Sequence, residues 1–302
     1  MKCDLHVHSK HSGMCSTPLV GCICRESYSA PDRIYATLKK RGMDLVTLTD
    51  HDSIGAAESL RHRADFFISE EVTCVMPSGS IAHIGIYDIT DRQHAEIQRR
   101  RNDLAALLAY ITERRLLFTV QHMFSALTGR RHREDFPLFE EYFPAVETRS
   151  GQMLPAHNRY AESFAKHWRK AGLGGSDSHA LPSAGTAYTE VAHARNKAEF
   201  FEGIRAGEAV AAGGHGGYFK LTRDIFCITA GMMRERPWTA LLAPLTLLLP
   251  AATLAILAQE MAFAWYWNRQ VGAPYREKPR RESRDDWFRG VPTRPEEVPI
   301  WP

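Results

Sequence analysis

Short apolar segments alternate with longer amphipathic segments through most of the chain, and this alternation limits the fold more than any other feature. Residues 44–49 (DLVTLT) predict a buried strand, and a helix from about Pro31 to Arg41 precedes it. Pro31 suits the first turn of a helix, and Gly42 suits the left-handed position that follows the last turn. Repeated units of this kind are typical of α/β proteins with a parallel sheet, either open or closed into a barrel.

The other predicted elements continue the alternation. We predict strands at residues 66–72, 81–86, 117–120 and 173–176, and another that opens at Val146. We predict helical segments at residues 91–115, 161–170 and 197–206, and in the first of them apolar residues recur at helical spacing. The sequence therefore predicts an α/β fold.

The composition of the 302 residues is that of a globular protein, with 44% hydrophobic and 24% charged residues. A formal net charge of +3 is nearly neutral, so it neither requires nor excludes a partner that carries phosphate groups. Of the six cysteines only Cys22 and Cys24 are close together, and their spacing suits neither a zinc knuckle nor a redox pair. With no apolar signal region at the N-terminus, these features predict a cytoplasmic catalytic domain with reduced cysteines.

The sequence changes character after about Gly217. From Pro237 to Gln259 it carries no charge, and this run exceeds the roughly 20 residues that a helix needs to span a bilayer. Residues 265–267 (WYW) and Arg269 follow, as in the aromatic belt at a membrane interface. We predict a catalytic domain at residues 1–218, a helical region at 219–268 and a flexible basic tail at 269–302. We expect membrane association through residues 237–259, with a buried helix or an oligomer contact as the alternative.

Residues that bind metals follow the ends of several predicted strands. His6 and His8 are separated by one residue, so both imidazoles point to the same face of a short strand and can bind one ion. The other candidates are Asp50, His51, Asp52, Glu70, Glu71, His83, His122, Asp177 and His179. Because the carboxyl ends of parallel strands converge on one crevice, these side chains could hold zinc, manganese or iron, with a carboxylate bridging two ions.

With these motifs the sequence resembles the polymerase-and-histidinol-phosphatase (PHP) family of metal-dependent phosphoesterases. The segment DLHVHSKHS is similar to the first motif of the family, TLTDHDS to the second, and GSDSHA to the fourth. His83 and Gln121–His122 are similar to the third motif. The resemblance extends from residue 3 to about residue 215, with the motifs in order, and implies a distorted (β/α)7 barrel with a metal cluster at the carboxyl ends of its strands.

The resemblance also implies two or three divalent metal ions, which would be zinc, manganese or iron. The first ion would be held by His6, His8, Glu71 and Asp177. Glu71 would bridge to a second ion completed by His83 and His122, and a third ion would use His51 and His179. Glu70 is the alternative bridging residue, but we prefer Glu71 because an aliphatic residue, Val72, follows it directly, as in the family.

One position departs from the pattern of the family. Many members carry an aspartate or a histidine shortly after the first motif to complete the third ion site, and here position 13 is Gly13. His11 is the nearest substitute, although three residues after His8 it could equally point to solvent. The third ion is therefore less well supported by the sequence than the first two.

The activity that the resemblance implies is hydrolysis of a phosphate ester by a metal-activated hydroxide. The substrate would be a nucleotide, an oligonucleotide or another small phosphate ester, so nucleic acid is expected only as substrate. If the third ion is absent, His179 or Asp52 could supply the proton to the leaving group. The candidates for binding the phosphate are Arg25, Arg130, Arg131 and Arg149, and Arg149 is preferred because it lies at a predicted strand end. His157 and His215, in loops, could line the pocket.

Two alternative functions stay open at this point. An amidohydrolase-type enzyme that cleaves C–N bonds would share the His-x-His motif and the late aspartate, but it usually needs a carboxylated lysine as bridging ligand. The other is a non-catalytic regulatory metal-binding module, against which the presence of both two-ion ligand sets argues, since decayed sites normally lose ligands. The sequence does not determine the oligomeric state or the substrate.

Overall fold

The strands form two sheets in the computed structural model, which describes residues 1–16 and 20–272. The strands are β1 (Lys2–Cys3), β2 (Ser69–Val75), β3 (Ile81–Tyr87), β4 (Leu117–Val120), β5 (Ala145–Ser150), β6 (Ala171–Gly175), β7 (Ala187–Glu190) and β8 (Val210–Gly213). The α-helices are α1 (Pro31–Lys40), α2 (Ala57–Leu60), α3 (Asp91–Arg100), α4 (Leu104–Glu113), α5 (Asp135–Tyr142), α6 (Pro155–His167), α7 (Lys197–Ala206), α8 (Tyr218–Glu235) and α9 (Leu249–Gly272). Three 3-10 helices cover Lys10–Ser12, Leu181–Ser183 and Pro237–Leu248.

The larger sheet has five strands in the order β2-β3-β4-β5-β6, and the smaller has three in the order β1-β7-β8. Strands β4, β5 and β6 are parallel, but β3 is antiparallel to both β2 and β4, and the smaller sheet is antiparallel throughout. The α/β class is confirmed. The prediction of a parallel sheet is wrong for β2 and β3, because a short turn joins them directly without a crossover helix. The named strands of the described residues do not close into one sheet, so a (β/α)7 barrel is not confirmed.

Extended backbone outside the named strands connects the two sheets near their carboxyl ends. The amide of His8 donates to the carbonyl of Ser178 at 3.0 Å, just beyond the end of β6. On the other side of the same segment, the amide of Thr49 donates to the carbonyl of Val7 at 2.8 Å. The segment that carries the His-x-His motif therefore lies between two neighbouring chains.

The predicted strand at residues 44–49 has one isolated bridge, from Val46 to Phe66, in place of a regular ladder. Threonine hydroxyls replace some of the missing backbone bonds: Thr47 Oγ1 donates to the carbonyl of Phe67 at 2.8 Å, and Thr49 Oγ1 accepts from the amide of Val7 at 3.0 Å. Such side-chain bonds compete with regular strand pairing. Residues 45–49 of this segment are nevertheless buried, as predicted.

Most predicted helices are present with shifted ends. Helix α1 has Pro31 in its first turn, and Gly42 beyond its end has a φ of 78°. The predicted segment 91–115 forms two helices, because the Asp103 side chain accepts a hydrogen bond from the amide of Ala106 and so caps the start of α4. Helix α7 matches its prediction, and α6 begins at Pro155, six residues earlier than predicted.

The main hydrophobic core lies between the five-stranded sheet and helices α3 to α6, and α9 packs against it. Ala264 and Val271 of α9 are 0% and 6% exposed and belong to this core. Glu260 of α9 is also buried, and it accepts a hydrogen bond from the amide of Ala126 at 3.0 Å. The domain boundary near residue 218 stays a prediction, and residues 273–302 of the predicted tail lie outside the described residues.

The opposite side of the C-terminal region is apolar and exposed. The stretch Pro237–Val271 is long and apolar enough to cross a membrane, and only 6% of its most apolar part is buried. Its exposed residues include Leu241, Leu245, Leu247, Leu248, Leu254, Met261 and Trp265.

We expect Ala264→Arg to destabilise the folded protein by about 3 kcal/mol or more, because it places a charge in a site that excludes water. Ala262→Arg, two residues earlier on the exposed side of α9, is the matched control and should have an effect below about 1 kcal/mol. Thermal unfolding of the two purified variants would measure the difference. Equal effects of the two substitutions would contradict the packing of α9 on the core.

Candidate metal centre

The centre of the candidate site is the carboxylate of Glu71 in β2, which is completely buried. Five imidazole nitrogens lie 3.2 Å from its two oxygens. Oε2 faces His6 Nε2, His8 Nε2 and His51 Nδ1, and Oε1 faces His83 Nδ1 and His122 Nε2. One carboxylate is thus shared between two groups of histidines.

The polar atoms of this cluster fit divalent metal ions. Both oxygens of Glu71 and the facing nitrogens of His6, His8, His51 and His83 are buried without a hydrogen-bond partner. Ligand atoms that bind one zinc ion at about 2.0–2.1 Å lie about 3.0–3.5 Å from one another, and the distances here agree with this. Buried polar atoms that lack a partner are costly, and a bound cation would satisfy all of them.

Asp177 completes one of the two groups. Its Oδ1 lies 3.5 Å from the Nε2 atoms of both His6 and His8. His6, His8 and Asp177 therefore form one group, and Glu71 faces the two histidines of that group. His83 Nδ1 and His122 Nε2 each lie 3.2 Å from the other oxygen of Glu71.

Outer carboxylates orient the imidazoles of the first motif. The Nδ1 atom of His6 donates to Glu147 Oε1 at 2.8 Å, which leaves its Nε2 lone pair directed at the cluster. His8 Nδ1 donates to the hydroxyl of Ser12 at 3.0 Å, and that hydroxyl donates to Asp50 at 2.7 Å. The backbone before the motif is fixed in the same way, because Asp4 accepts from the amides of His6, Ser176 and Gly185.

Three motif residues have strained backbones. Asp52, His122 and Asp177 are not glycines, yet their φ angles are 52°, 23° and 50°. Residues in this region of φ are uncommon and concentrate at functional sites, where the surrounding structure holds them. The amide of Asp177 donates to the carbonyl of His6 at 2.6 Å, so this backbone conformation is held by the first motif itself.

The electrostatics of the cluster are those of a site built for cations. Burial opposes the charge of Glu71, but the facing imidazoles of His6, His83 and His51 hold the pKa of its carboxyl well below the usual range. Burial lowers the pKa of His8, but the facing carboxylates of Asp177 and Glu71 outweigh it and raise that pKa to about 9. Without ions, the raised pKa values of His6, His8 and His122 favour protonated imidazoles beside the buried carboxylates, whereas burial lowers the pKa values of His51 and His179.

One face of the cluster is accessible. The side chains of His51 and His83 are each 18% exposed, and that of His179 is 19% exposed, whereas those of His6 and His8 are almost completely buried. A substrate can therefore approach only past these three partly exposed imidazoles. His179 Nδ1 donates to the carbonyl of Asp177 at 3.1 Å, so in the neutral ring Nε2 carries the lone pair.

Glu70 points away from the cluster, as strand alternation requires of the residue next to Glu71. Its Oε2 accepts hydrogen bonds from His94 Nδ1 at 2.9 Å and from Gln98 Nε2 at 2.7 Å, both on α3. Glu70 thus joins β2 to α3. The geometry favours Glu71 as the bridging residue.

The structure does not bring every predicted residue to the cluster. The carboxylate of Asp52 pairs with Arg101 and accepts from the amide of Thr73 at 2.9 Å, away from the metal-binding histidines. His157 lies 3.2 Å from Glu260 and lines the cavity beside Asp177 and His179, so its predicted place in the pocket is confirmed. Arg149 contacts His215 Nε2 at 2.6 Å. The other candidate arginines are occupied or distant: Arg131 is buried against the carbonyl of Ile81, Arg25 pairs with Glu235, and Arg130 is exposed.

Around the predicted third ion, the structure brings His8, His51 and His179 together. His11 does not join them; its ring lies against Gly55. A residue that the sequence did not indicate is closer: Glu26 Oε2 lies 3.8 Å from His179 Nε2. Glu26 reaches this place because its amide donates to the carbonyl of Gly13 at 3.1 Å, a contact that folds the chain back on itself. Nothing in the local sequence around Glu26 marks it, since the pairing depends on the turn between the two segments.

Comparison with known proteins gives one family model and several solved structures. Residues 155–209 match the family model described as PHP-associated. No curated protein matches the sequence. PsfC from Pseudomonas syringae is similar in structure, with a TM-score of 0.54 and 13% identity, over 77% of this chain and 98% of that one. At this identity the likeness shows a shared fold.

Two further solved structures match with lower scores. One is a putative metal-dependent phosphoesterase from Bifidobacterium adolescentis, with a TM-score of 0.44 and 11% identity, over 68% of this chain and 96% of that one. The other is an amidohydrolase from Chromobacterium violaceum, solved with bound sulfate and no metal. Its TM-score is 0.45 and its identity 16%, over 70% of this chain and 98% of that one.

We expect Glu147→Gln to weaken metal binding by about 10- to 100-fold, because the amide can accept from only one of the two donors that Glu147 now serves, His6 Nδ1 and the amide of His122. Competition with a chelating dye would measure the affinity for zinc and for manganese. Glu162→Gln, an exposed position on α6, is the control and should leave both affinities unchanged. Unchanged affinity in Glu147→Gln would show that this carboxylate does not orient a ligand.

Proposed function

We propose that this chain is a metal-dependent phosphoesterase of the polymerase-and-histidinol-phosphatase family, a proposal that the match of residues 155–209 to the PHP-associated family model supports. Its substrate would be a nucleotide, an oligonucleotide or another small phosphate ester. The ions would be two or three of zinc, manganese or iron, which suit a ligand set of imidazoles and carboxylates.

The sharing of Glu71 between two histidine groups is the observation that carries this proposal. His6, His8 and Asp177 surround one side of the carboxylate, and His83 and His122 surround the other. A bridging carboxylate of this kind is how proteins hold two ions close together, an arrangement common in enzymes of phosphate-ester hydrolysis. Two divalent ions would also leave the centre with net positive charge, since only two carboxylates lie among its ligands. A phosphate ester is the anionic substrate that this charge favours.

The ions, when bound, would lower the pKa of a water molecule toward neutrality and neutralise charge on the phosphate oxygens. The protein's own groups supply the rest. The open face beside His51, His83 and His179 admits the ester. Where the third ion is absent, His179 would be free to give a proton from Nε2 to the leaving group. Asp52 is less well placed for this role because Arg101 holds its carboxylate.

We propose that Arg149 binds the phosphate, and that His215 and Asn158 hold its guanidinium in position. Its guanidinium contacts His215, whose Nδ1 contacts the Asn158 side chain at 2.8 Å. Its Nε is buried without a hydrogen-bond partner, so one donor is free for an anion.

We propose Glu26 as the ligand that replaces the residue missing at Gly13. With His51 and His179 it would complete a third ion site on the open face. A partly exposed third site is expected to bind its ion more weakly than the two sites that share Glu71.

The distorted barrel implied by the resemblance is part of the proposal. The bridges from His8 to Ser178, from Val7 to Thr49 and from His51 to Glu71 support a ring of strands that closes through irregular segments. Membrane association through residues 237–259 is likewise proposed, with the catalytic domain on the cytoplasmic side. The exposed apolar face of the C-terminal region supports it.

The experiment that tests the function is a screen of the metal-loaded protein against phosphate monoesters, phosphate diesters and amides. We expect hydrolysis of at least one class of phosphate ester, dependent on zinc, manganese or iron. Hydrolysis of amides alone would favour the amidohydrolase alternative. Stoichiometric metal without turnover of any class would favour a regulatory metal-binding module.

We expect Glu71→Gln to lower both the metal content and the phosphoesterase activity, the activity by at least about 100-fold, more than the loss of an outer-shell partner costs. Its amide hydrogens would point at atoms that must bind cations. Glu70→Gln is the matched control, and it should keep two equivalents of metal because Glu70 faces α3. Elemental analysis and turnover would be measured on both variants. Metal loss in Glu70→Gln with full loading of Glu71→Gln would contradict the proposed bridging role.

We expect Glu26→Gln to lower the metal stoichiometry by about one equivalent while the two sites that share Glu71 stay loaded. Elemental analysis after equilibrium dialysis against excess manganese would give the count. Glu58→Gln, at an exposed position on α2, serves as control. A stoichiometry that is the same in wild type and Glu26→Gln would exclude Glu26 as a ligand.

A further inference from the structure

A cavity of about 260 Å³ opens directly beside the metal centre. Asp177 and His179 form part of its wall, so a molecule bound at the ions would extend into it. Its volume is close to the lower end of the range for small-molecule sites, about 300 Å³. The cavity is therefore positioned to hold the part of a substrate that does not react.

The surface inside this cavity is almost entirely carbon. Helices α8 and α9 contribute Leu221, Ile225, Ile228, Ile256 and Leu257. Several polar residues of the wall direct polar atoms at each other or at the backbone. Gln152 Nε2 donates to Asp224 Oδ2 at 3.2 Å, for example, and Glu260 Oε1 accepts from the amide of Ala126 at 3.0 Å. A polar leaving group would find few partners here, whereas an alkyl group would lose only contacts with water.

The cavity is continuous with the exposed apolar surface of the C-terminal region. Ile256 lines the cavity and is 43% exposed, and Leu254 beside it on α9 is 62% exposed. Leu127, on the opposite rim, is 59% exposed. An apolar path therefore leads from the outer face of α9, which could lie in a membrane, to the metal-binding residues.

From this continuity we propose that the substrate is an amphiphilic phosphate ester, with its phosphate at the metal centre and its alkyl chain in the cavity between α8 and α9. This inference rests on the proposed phosphoesterase function and names its substrate class. The occupant is a single amphiphile that enters from the apolar face. A nucleotide fits the same metal centre, but its polar base and ribose would meet a carbon surface.

The test compares two non-hydrolysable probes, butylphosphonate and octylphosphonate, binding to the metal-loaded full-length protein in lipid nanodiscs without detergent. Isothermal titration would give both affinities, and empty nanodiscs would give the background from partition into lipid. We expect octylphosphonate to bind at least about tenfold more tightly after this correction, since each methylene buried in an apolar site strengthens binding by up to roughly fourfold. Equal affinities of the two probes would overturn the proposal.

Two variants localise the effect. Ile225→Trp fills the cavity from α8 and should reduce the preference for octylphosphonate at least fivefold, and Leu257→Trp should do the same from α9. Phe226→Trp is the matched control, because Phe226 is 40% exposed on α8 and does not line the cavity. An unchanged preference for octylphosphonate in both cavity variants would show that the alkyl chain binds elsewhere, and it would overturn the proposal.

Turnover of butyl phosphate and octyl phosphate separates this inference from the function on which it rests. Hydrolysis of both esters at equal kcat/KM, with equal binding of the two phosphonates, would reject the amphiphilic substrate and keep the phosphoesterase. Chain-dependent binding without hydrolysis of any phosphate ester would reject the phosphoesterase and keep the cavity as an alkyl-binding site.

Discussion

The complete burial of the Glu71 carboxylate is the constraint on which the rest of the site depends. An ionised carboxylate removed from water is costly unless opposite charge or hydrogen-bond donors surround it. Here it accepts no hydrogen bond, and five imidazole nitrogens face it at 3.2 Å. Cations satisfy the oxygens and the nitrogens together, whereas protons on the imidazoles satisfy only the charge. Metal binding should therefore stabilise the fold as well as equip the site.

Three further carboxylates hold this arrangement in place, and none of them faces the proposed ions. Asp4 fixes the backbone before the first motif, Asp50 acts on His8 through Ser12, and Glu147 binds both His6 and the amide of His122. Such outer partners determine which ring nitrogen carries the proton, and so which one can bind an ion. Geometry at the centre thus depends on residues spread over most of the described chain.

The C-terminal region has two opposite faces, and each contributes to the proposed function. The inner face of α9 enters the main core through Ala264 and carries Glu260 to its partner at Ala126. The outer face is apolar and exposed, and α8 and α9 enclose a carbon-lined cavity beside Asp177 and His179. A helix that only anchored the protein would need no such inner contacts. The packing of α8 and α9 therefore places the apolar surface next to the metal-binding residues Asp177 and His179.

The sequence by itself determined the α/β class, the ends of α1 and α7, and the motif residues that the structure gathers around Glu71. It could do so because strand alternation and helical spacing are local, and because four ordered motifs carry the resemblance. Only the tertiary structure decided that β3 runs antiparallel to its neighbours, that Asp52 pairs with Arg101, and that Glu26 and Glu147 adjoin the cluster. Local pattern states which face of an element a side chain occupies, whereas its partners depend on contacts between segments far apart in the chain.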